Sequence, residues 1–141
     1  MAAPVASAKY DSMHITVVED QAILKQIIDA SSDFISNFTG QRKEMDFGAT
    51  NMIIISGAPG QAPGMDYASA GCIVENMLIA ATSLGIDNIV WAIPAIAITQ
   101  NVDIMTQLGI PEGLKPLLCA SFGYAAADTS AKDHIITVNR V

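Results

Sequence analysis

The first forty residues change from one hydrophobic period to another. Over Ser12–Val18 apolar and polar side chains alternate, and this period of two predicts a β-strand. After Asp20, which can cap a helix, the apolar residues recur at helical spacing on a broad stripe, and Gly40 follows the last of them. We therefore predict a strand followed directly by an amphipathic helix.

The middle of the chain predicts a second strand and a helix of unusual character. Asn51–Ser56 is a short apolar run typical of a buried strand, and the loop Gly57–Gly64 joins it to a helix over Asp66–Leu84. This helix is apolar on almost every side, which predicts burial all round. A domain of this size cannot enclose such a helix alone, but two copies related by a two-fold axis can.

The remainder predicts further short elements and a single domain. We expect a strand over Ile89–Ile93 that ends at Pro94, a helix marked by Ile98 to Leu108, a strand over Leu117–Phe122, a polar linker over Ala125–Asp133 and a strand over His134–Val138. Strands and helices do not alternate regularly, so the order favours an α+β fold over a doubly wound sheet. We predict one domain over residues 1–141.

Composition limits the partners of the chain. Hydrophobic residues make up 51% of the 141 residues, more than a small monomer needs to bury, and the longest apolar stretch is too interrupted to span a membrane. We therefore expect a partner chain and no membrane. A net charge of −7 argues against nucleic acid. Two isolated cysteines indicate a reducing compartment, and the N-terminus lacks a signal-peptide pattern, so we expect a cytoplasmic protein.

The candidates for chemistry are few. Neither His14 nor His134 has a Ser or Cys nucleophile context, and no metal-ligand spacing occurs, so we predict no catalytic side chain and no metal site. Glu75, inside the apolar helix, is either a structural hydrogen-bonding residue at a subunit interface or a ligand-facing one. Trp91 is either a core residue or the wall of a site for a flat aromatic ligand.

Three stretches, taken in order, resemble the nitroreductase family. Ala3–Val18 is similar to the family's AP-S-x-x-N-x-Q-P-W-x-F-x-V-V segment, a flavin-contacting loop followed by the first core strand. Asp66–Gly85 resembles the family helix D-x-G-x-x-x-x-N-M-x-L-A-A-x-x-L-G, which forms the dimer core. Leu108–Pro111, followed by Leu117–Tyr124, resembles the L-G-I-P turn and the strand that ends in G-Y.

This resemblance implies a mixed central sheet flanked by helices, a homodimer whose C-terminal strand is exchanged between subunits, and FMN at the dimer interface. It further implies an oxidoreductase that passes electrons from NAD(P)H to a nitroaromatic, quinone or similar acceptor, with the cofactor performing the hydride chemistry. The cofactor-binding residues that we predict on this basis are Pro4, Ala6, Ser7, Lys9, Glu75, Trp91, Ala92, Lys132 and Arg140.

The chain also departs from the family pattern. We expect the chain to be short at its N-terminus, without the family's R-R-S-x-R segment that grips the FMN phosphate. In the flavin loop the usual Ser, Asn and Gln fall on Val5, Ala8 and Tyr10. An alternative function follows from these departures: a flavin-free remnant of the fold that acts as a binding or partner-completing subunit.

Overall fold

The computed structural model describes residues 3–6, 9–45, 48–60, 62–127 and 136–140. A 3₁₀ turn, Tyr10–Ser12, leads into strand β1, Met13–Val18, and the long helix α1, Gln21–Thr39. Strand β2, Met52–Gly57, and helix α2, Met65–Ser83, form the middle of the chain. Strand β3, Asp87–Trp91, helices α3, Ile93–Thr99, and α4, Val102–Gln107, and strand β4, Lys115–Gly123, complete it.

Both ends of α1 are fixed by local chemistry, as predicted. The Asp20 carboxylate accepts hydrogen bonds from the backbone N–H groups of Ala22 and Ile23, which have no partner inside the helix. Gly40 at the other end has a φ of 73° and donates its N–H to the Ser36 carbonyl. A left-handed residue there ends the helix, and glycine adopts that conformation without a steric penalty.

The four strands form one sheet in the order β1-β2-β4-β3. Each neighbouring pair is antiparallel, and a bulge between Ile55 and Ser56 shifts the register of β2 against β4. The expectation of a mixed sheet is therefore wrong for the part of the chain that the structure describes. Helix α1 connects β1 to β2, and α3 and α4 connect β3 to β4, but both pairs are antiparallel, so these helices are not the crossovers that join parallel strands.

Helices cover both faces of this sheet. On one face α1, α3 and α4 enclose a core that includes Ile27, Ile54, Trp91 and Ile98. On the other face α2 packs through Ala70 and Val74 against apolar side chains of β2 and β4. The α+β class predicted from the order of elements is confirmed.

Two predictions about the second half need correction. The helix expected from Ile98 to Leu108 is two helices, because the Asn101 side chain accepts the Ile104 N–H and caps a new helix there. The strand expected over Ile89–Ile93 is β3, Asp87–Trp91, because Ile93 already begins α3. Pro94 stands in the first turn of that helix, where its missing N–H costs nothing.

The C-terminal segment differs from prediction within this chain. Residues 136–140 are irregular and exposed, so the described part of the strand expected over His134–Val138 is not formed in a single subunit. His134 itself lies outside the described residues. Ile136 and Val138 are 80% and 74% exposed, which is unusual for aliphatic side chains.

Helix α2 is buried on one side only in the single chain. Ala70, Val74 and Ala81 are buried, whereas Ile79 and Ala80 on the opposite side are exposed. The single chain thus encloses only one side of the helix, as expected for a domain of this size, and burial of the other side by a second copy stays a prediction. No helix of the described chain is both long enough and apolar enough to cross a membrane.

Candidate functional site

A cleft of about 380 Å³ lies where three segments meet: the N-terminal loop, the loop that follows β2, and the first turns of α2. Its lining residues are Val5, Ala6, Lys9, Ser12, Met13, Ala58, Pro59, Gly60, Ala62, Met65, Asp66 and Ser69. The lining combines apolar side chains with two charged groups and two hydroxyls. Such a mixture is typical of a site that holds a small organic ligand and orients it through a few polar contacts.

Ser69 holds the N-terminal loop against α2. Its Oγ accepts the Ala6 N–H at 3.1 Å and donates to the Met65 carbonyl one turn earlier at 2.9 Å. The side chain is buried, so both contacts form away from bulk water. A buried hydroxyl that donates one hydrogen bond and accepts another is satisfied, and here it fixes one wall of the cleft relative to another.

The loop after β2 is joined to the same structure by its backbone. The Ala58 N–H donates to the Ser12 carbonyl at 3.0 Å, which extends the β1–β2 pairing by one bond beyond the strands. Gly57 is buried at the end of β2, and a Cβ there would lie 2.8 Å from Cδ1 of Leu117. Glycine therefore allows β2 to pack closely against the Leu117 side chain of β4.

Asp66 is the buried charge of the cleft. It is 8% exposed and stands in the first turn of α2, where the helix dipole favours a negative group. Lys115 Nζ lies 3.9 Å from its Oδ2 and 5.4 Å from the centre of the Tyr67 ring. The lysine thus balances the carboxylate while its own charge faces an aromatic ring.

A second, apolar groove of about 420 Å³ adjoins the cleft along the exposed side of α2. Its lining residues are Ala3, Val5, Tyr10, Met13, Ile15, Ile73, Asn76, Met77 and Ala80. Val5 and Met13 line both cavities, so the N-terminal loop separates the polar cleft from an apolar face.

The structure brings some of the predicted cofactor residues together. Ala6 and Lys9 line the cleft, and Pro4 is an exposed residue of the same loop. Ser7 and Lys132 lie outside the described residues.

The other predicted residues stand apart from the cleft. Glu75 is exposed on α2, and Ala92 is exposed at the start of α3. Arg140 belongs to the exposed C-terminal segment. Trp91 is 4% exposed and packs in the core on the face of the sheet opposite α2, so it is a core tryptophan in this chain and does not line the cleft.

The sequence reasoning misses two residues that line the cleft, Asp66 and Ser69, and the ion-pair partner of Asp66, Lys115. The pattern around Asp66 predicts only the start of a helix. A local signal for the first two existed, because residues three apart share one face of a helix and these two directly follow a Gly/Pro loop. The contribution of Lys115 could not be found locally, since it approaches Asp66 only through the pairing of β4 with β2.

The cysteines and acidic groups do not form a reactive centre. Cys119 is a free thiol in the core, and burial raises its pKa well above the usual range, so it stays protonated and inert. Within the described ranges, no group of three or more His, Cys, Asp or Glu side chains could hold a metal ion.

Comparison with protein-family models identifies the family of this chain. The nitroreductase family model matches residues 1–124. The chain therefore belongs to the nitroreductase family. A comparison with curated protein sequences gives no significant match.

Solved structures with this fold include several nitroreductases. A nitroreductase from Bacteroides fragilis with bound FMN aligns with a TM-score of 0.76 and 24% identity over 98% of this chain and 81% of its own. An FMN-dependent nitroreductase from Clostridium difficile aligns with a TM-score of 0.80 and 22% identity over 99% and 83%. A nitroreductase from Desulfitobacterium hafniense, also with bound FMN, aligns with a TM-score of 0.77 and 22% identity over 97% of this chain and 80% of its own. These likenesses establish the nitroreductase fold.

Proposed function

We propose that this protein is an FMN-dependent oxidoreductase that passes electrons from NAD(P)H to a nitroaromatic, quinone or similar acceptor. The observation that carries the proposal is the cleft bordered by the N-terminal loop and α2 in a chain of the nitroreductase family. The structures from Bacteroides fragilis and Desulfitobacterium hafniense, which share the fold, hold FMN. The loop is also the segment whose sequence resembles the family's flavin loop.

The groups of the cleft fit a flavin. FMN has an apolar ring system, a chain of hydroxyls and an anionic phosphate. The cleft offers apolar walls such as Val5 and Met13, a buried acceptor in Asp66 and a cation in Lys9. Ser7 of the same loop, with Lys132 and Arg140 from the C-terminal part, are further proposed contacts to FMN, the two cations to its phosphate.

The chain's own residues would supply placement and electrostatics. FMN, when bound, supplies the hydride chemistry. The loop held by Ser69 keeps Ala6 and Lys9 in fixed positions, and a fixed wall costs little further ordering when a ligand binds. Apolar residues around the cleft exclude water, which strengthens each polar contact inside it.

We propose further that the protein acts as a homodimer that covers the exposed side of α2. The groove beside the cleft is lined mostly by apolar residues, including the exposed Ile15, and Ile79 is a further exposed apolar residue of α2. A second copy would bury the groove and would complete the cleft from its open side. Ile136 and Val138 are exposed in the single chain, and pairing of the C-terminal segment with the partner would bury them.

Spectroscopy and flavin titration test the function directly. We expect the purified protein to bind FMN, seen as quenched flavin fluorescence, and to oxidise NADH or NADPH in the presence of a quinone or nitroaromatic acceptor. A colourless protein that neither quenches FMN fluorescence nor gains activity with added FMN would instead support the alternative, a flavin-free subunit that completes a partner.

A variant of Lys9 tests the position of the phosphate. Lys9→Glu places a negative charge beside the proposed phosphate and should weaken FMN binding by about tenfold or more, because a charged contact of this kind is worth about that factor. Riboflavin, which lacks the phosphate, should bind both proteins alike. Lys43→Glu, at an exposed lysine that does not line the cleft, is the control. Equal FMN affinity of the Lys9 variant and the wild type would contradict this placement.

A further inference from the structure

Asp66 has more hydrogen-bonding capacity than the protein uses. Its carboxylate is nine-tenths buried and lines the cleft, yet among the described residues no hydrogen bond reaches either oxygen. The approach of Lys115 at 3.9 Å is an ion pair but is too long for a hydrogen bond. A carboxylate has about four acceptor positions, and burying it without hydrogen bonds is unfavourable.

Lys115 lies beside Asp66 without closing its access to the cleft. Lys115 approaches from β4, is partly exposed, and does not itself line the cleft. Its ammonium group is held near the Tyr67 ring, so it balances Asp66 without occupying the space in front of the carboxylate. The charge is balanced on one side, and the acceptor positions remain available on the other.

We propose that Asp66 is a ligand-binding residue that accepts a hydrogen bond from a neutral O–H or N–H group of the bound flavin, and that Lys115 is its positioning residue. This inference rests on the proposed flavin function and adds to it the residue that recognises the uncharged part of the cofactor. A cation is a poorer partner, because Lys115 already balances the charge and no cluster of metal-type ligands surrounds Asp66 in the described chain.

Two parts of a flavin carry suitable donors: the hydroxyls of its ribityl chain and the imide N–H of its ring. Lumiflavin has the ring but lacks the chain, whereas riboflavin and FMN have both. The experiment therefore measures the affinity of all three flavins, by fluorescence quenching, for the wild type and for Asp66→Ala. Removing a charged acceptor should weaken binding by about tenfold to a hundredfold.

Each pattern of affinities gives a decision. Weaker FMN and riboflavin binding with unchanged lumiflavin binding identifies a ribityl hydroxyl as the donor, and equal weakening of all three identifies the ring N–H. Unchanged affinity for all three flavins in a folded Asp66→Ala protein overturns the inference and leaves the flavin function intact. A wild-type protein that binds none of the three overturns the proposed function and the inference together.

Matched variants separate ligand binding from effects on the fold. Asp103→Ala removes the other acidic residue that stands in the first turn of a helix, away from the cleft, and should bind flavins like the wild type. Asp66→Asn keeps one acceptor oxygen and should recover part of the lost affinity, which a role in folding alone would not predict.

Lys115→Met should lower affinity in the same flavin-dependent pattern, and Lys115→Arg should restore it. A Lys115→Met protein that bound all three flavins normally would contradict the positioning role.

Discussion

Single side chains join the cleft to the helix beneath it. Ser69 is the clearest case, because one hydroxyl connects the backbone of the N-terminal loop to the backbone of α2. This contact between residues distant in sequence joins the loop to the helix, in addition to the local hydrogen bonds between Ala6 and Lys9 and between Lys9 and Ser12. Order at this loop is what the proposed flavin site requires of the protein.

Replacing Ser69 should free the loop while leaving α2 in place. In Ser69→Ala the half-buried Ala6 N–H loses its partner, which should cost about 1 kcal/mol in the free energy of unfolding. Hydrogen exchange at the Ala6 amide should accelerate. Ser83→Ala is the matched control, because the Ser83 hydroxyl bonds only to the Ala80 carbonyl within the same helix. Unaltered exchange at Ala6 in the Ser69 variant would show that other contacts hold the loop.

Cys119 links stability to alkaline pH. Burial raises the pKa of its thiol, so the folded protein keeps a proton that the unfolded chain loses above pH ~8.5. The free energy of unfolding is therefore fully retained below that pH. It falls as the pH rises further, by at most about 1.4 kcal/mol per pH unit.

Urea unfolding at neutral and alkaline pH measures this effect. The wild type should lose more stability between pH 7 and pH 10 than Cys119→Ala, since only the wild type carries the buried thiol. Cys72→Ala, at a half-buried free cysteine, should behave like the wild type. Parallel losses in the wild type and the Cys119 variant would refute the linkage.

Helix α2 has two different apolar sides. One packs on the sheet through Ala70 and Val74, and the other is exposed in the single chain at Ile79 and Ala80. A helix that is apolar all round signals burial on both sides, so the exposed side indicates where a second copy would pack. The helix is then the shared element of the core and the proposed interface.

Ala80→Glu should dissociate the proposed dimer without unfolding the subunit. Ala80 is exposed in one chain, so the new carboxylate is solvated there, but in the dimer it would be buried and unpaired at a cost of several kcal/mol. Light scattering should report a monomer at concentrations where the wild type is dimeric. Ala22→Glu, at an exposed alanine in the first turn of α1, is the control. A dimeric Ala80→Glu protein would exclude this side of α2 from the interface.

Elements with their own local signals were predictable, and those set by distant contacts were not. The bounds of α1 follow from Asp20 and Gly40, whose effects act within a few residues. The break between α3 and α4 was missed because the apolar spacing continues through it, although Asn101 caps a new helix. At the candidate site, the N-terminal loop is predicted only from its resemblance to the flavin-contacting segment of the family. The link between Asp66 and Lys115 requires knowledge of the sheet order, which no local pattern contains.

At the scale of the whole molecule, the sheet of the described residues has two edge strands, β1 and β3. The C-terminal segment, residues 136–140, carries exposed apolar side chains. Unpaired edges and exposed aliphatic residues invite pairing with another chain. We propose that the partner subunit receives the segment around Ile136 and Val138. The exchange would make the folding of each subunit depend on the other.

Variants of the C-terminal segment test this exchange. Ile136→Ser combined with Val138→Ser should raise the dimer dissociation constant by tenfold or more, because fully burying each side chain contributes roughly 1.5–3 kcal/mol. Thr137→Ala combined with Asn139→Ala changes the two polar residues that alternate with Ile136 and Val138, and this variant serves as the control. An unchanged dissociation constant in the first variant, measured by sedimentation, would place the segment outside the interface.

The central position of β2 has a consequence for folding during synthesis. β2 pairs with β1, which precedes it, and with β4, which begins only at Lys115. During synthesis at ~5–20 residues per second, the interval between Gly57 and Lys115 lasts on the order of 3–12 s. For that time the apolar strand has one hydrogen-bonding edge open, and the nascent chain must be kept from other nascent chains until β4 emerges.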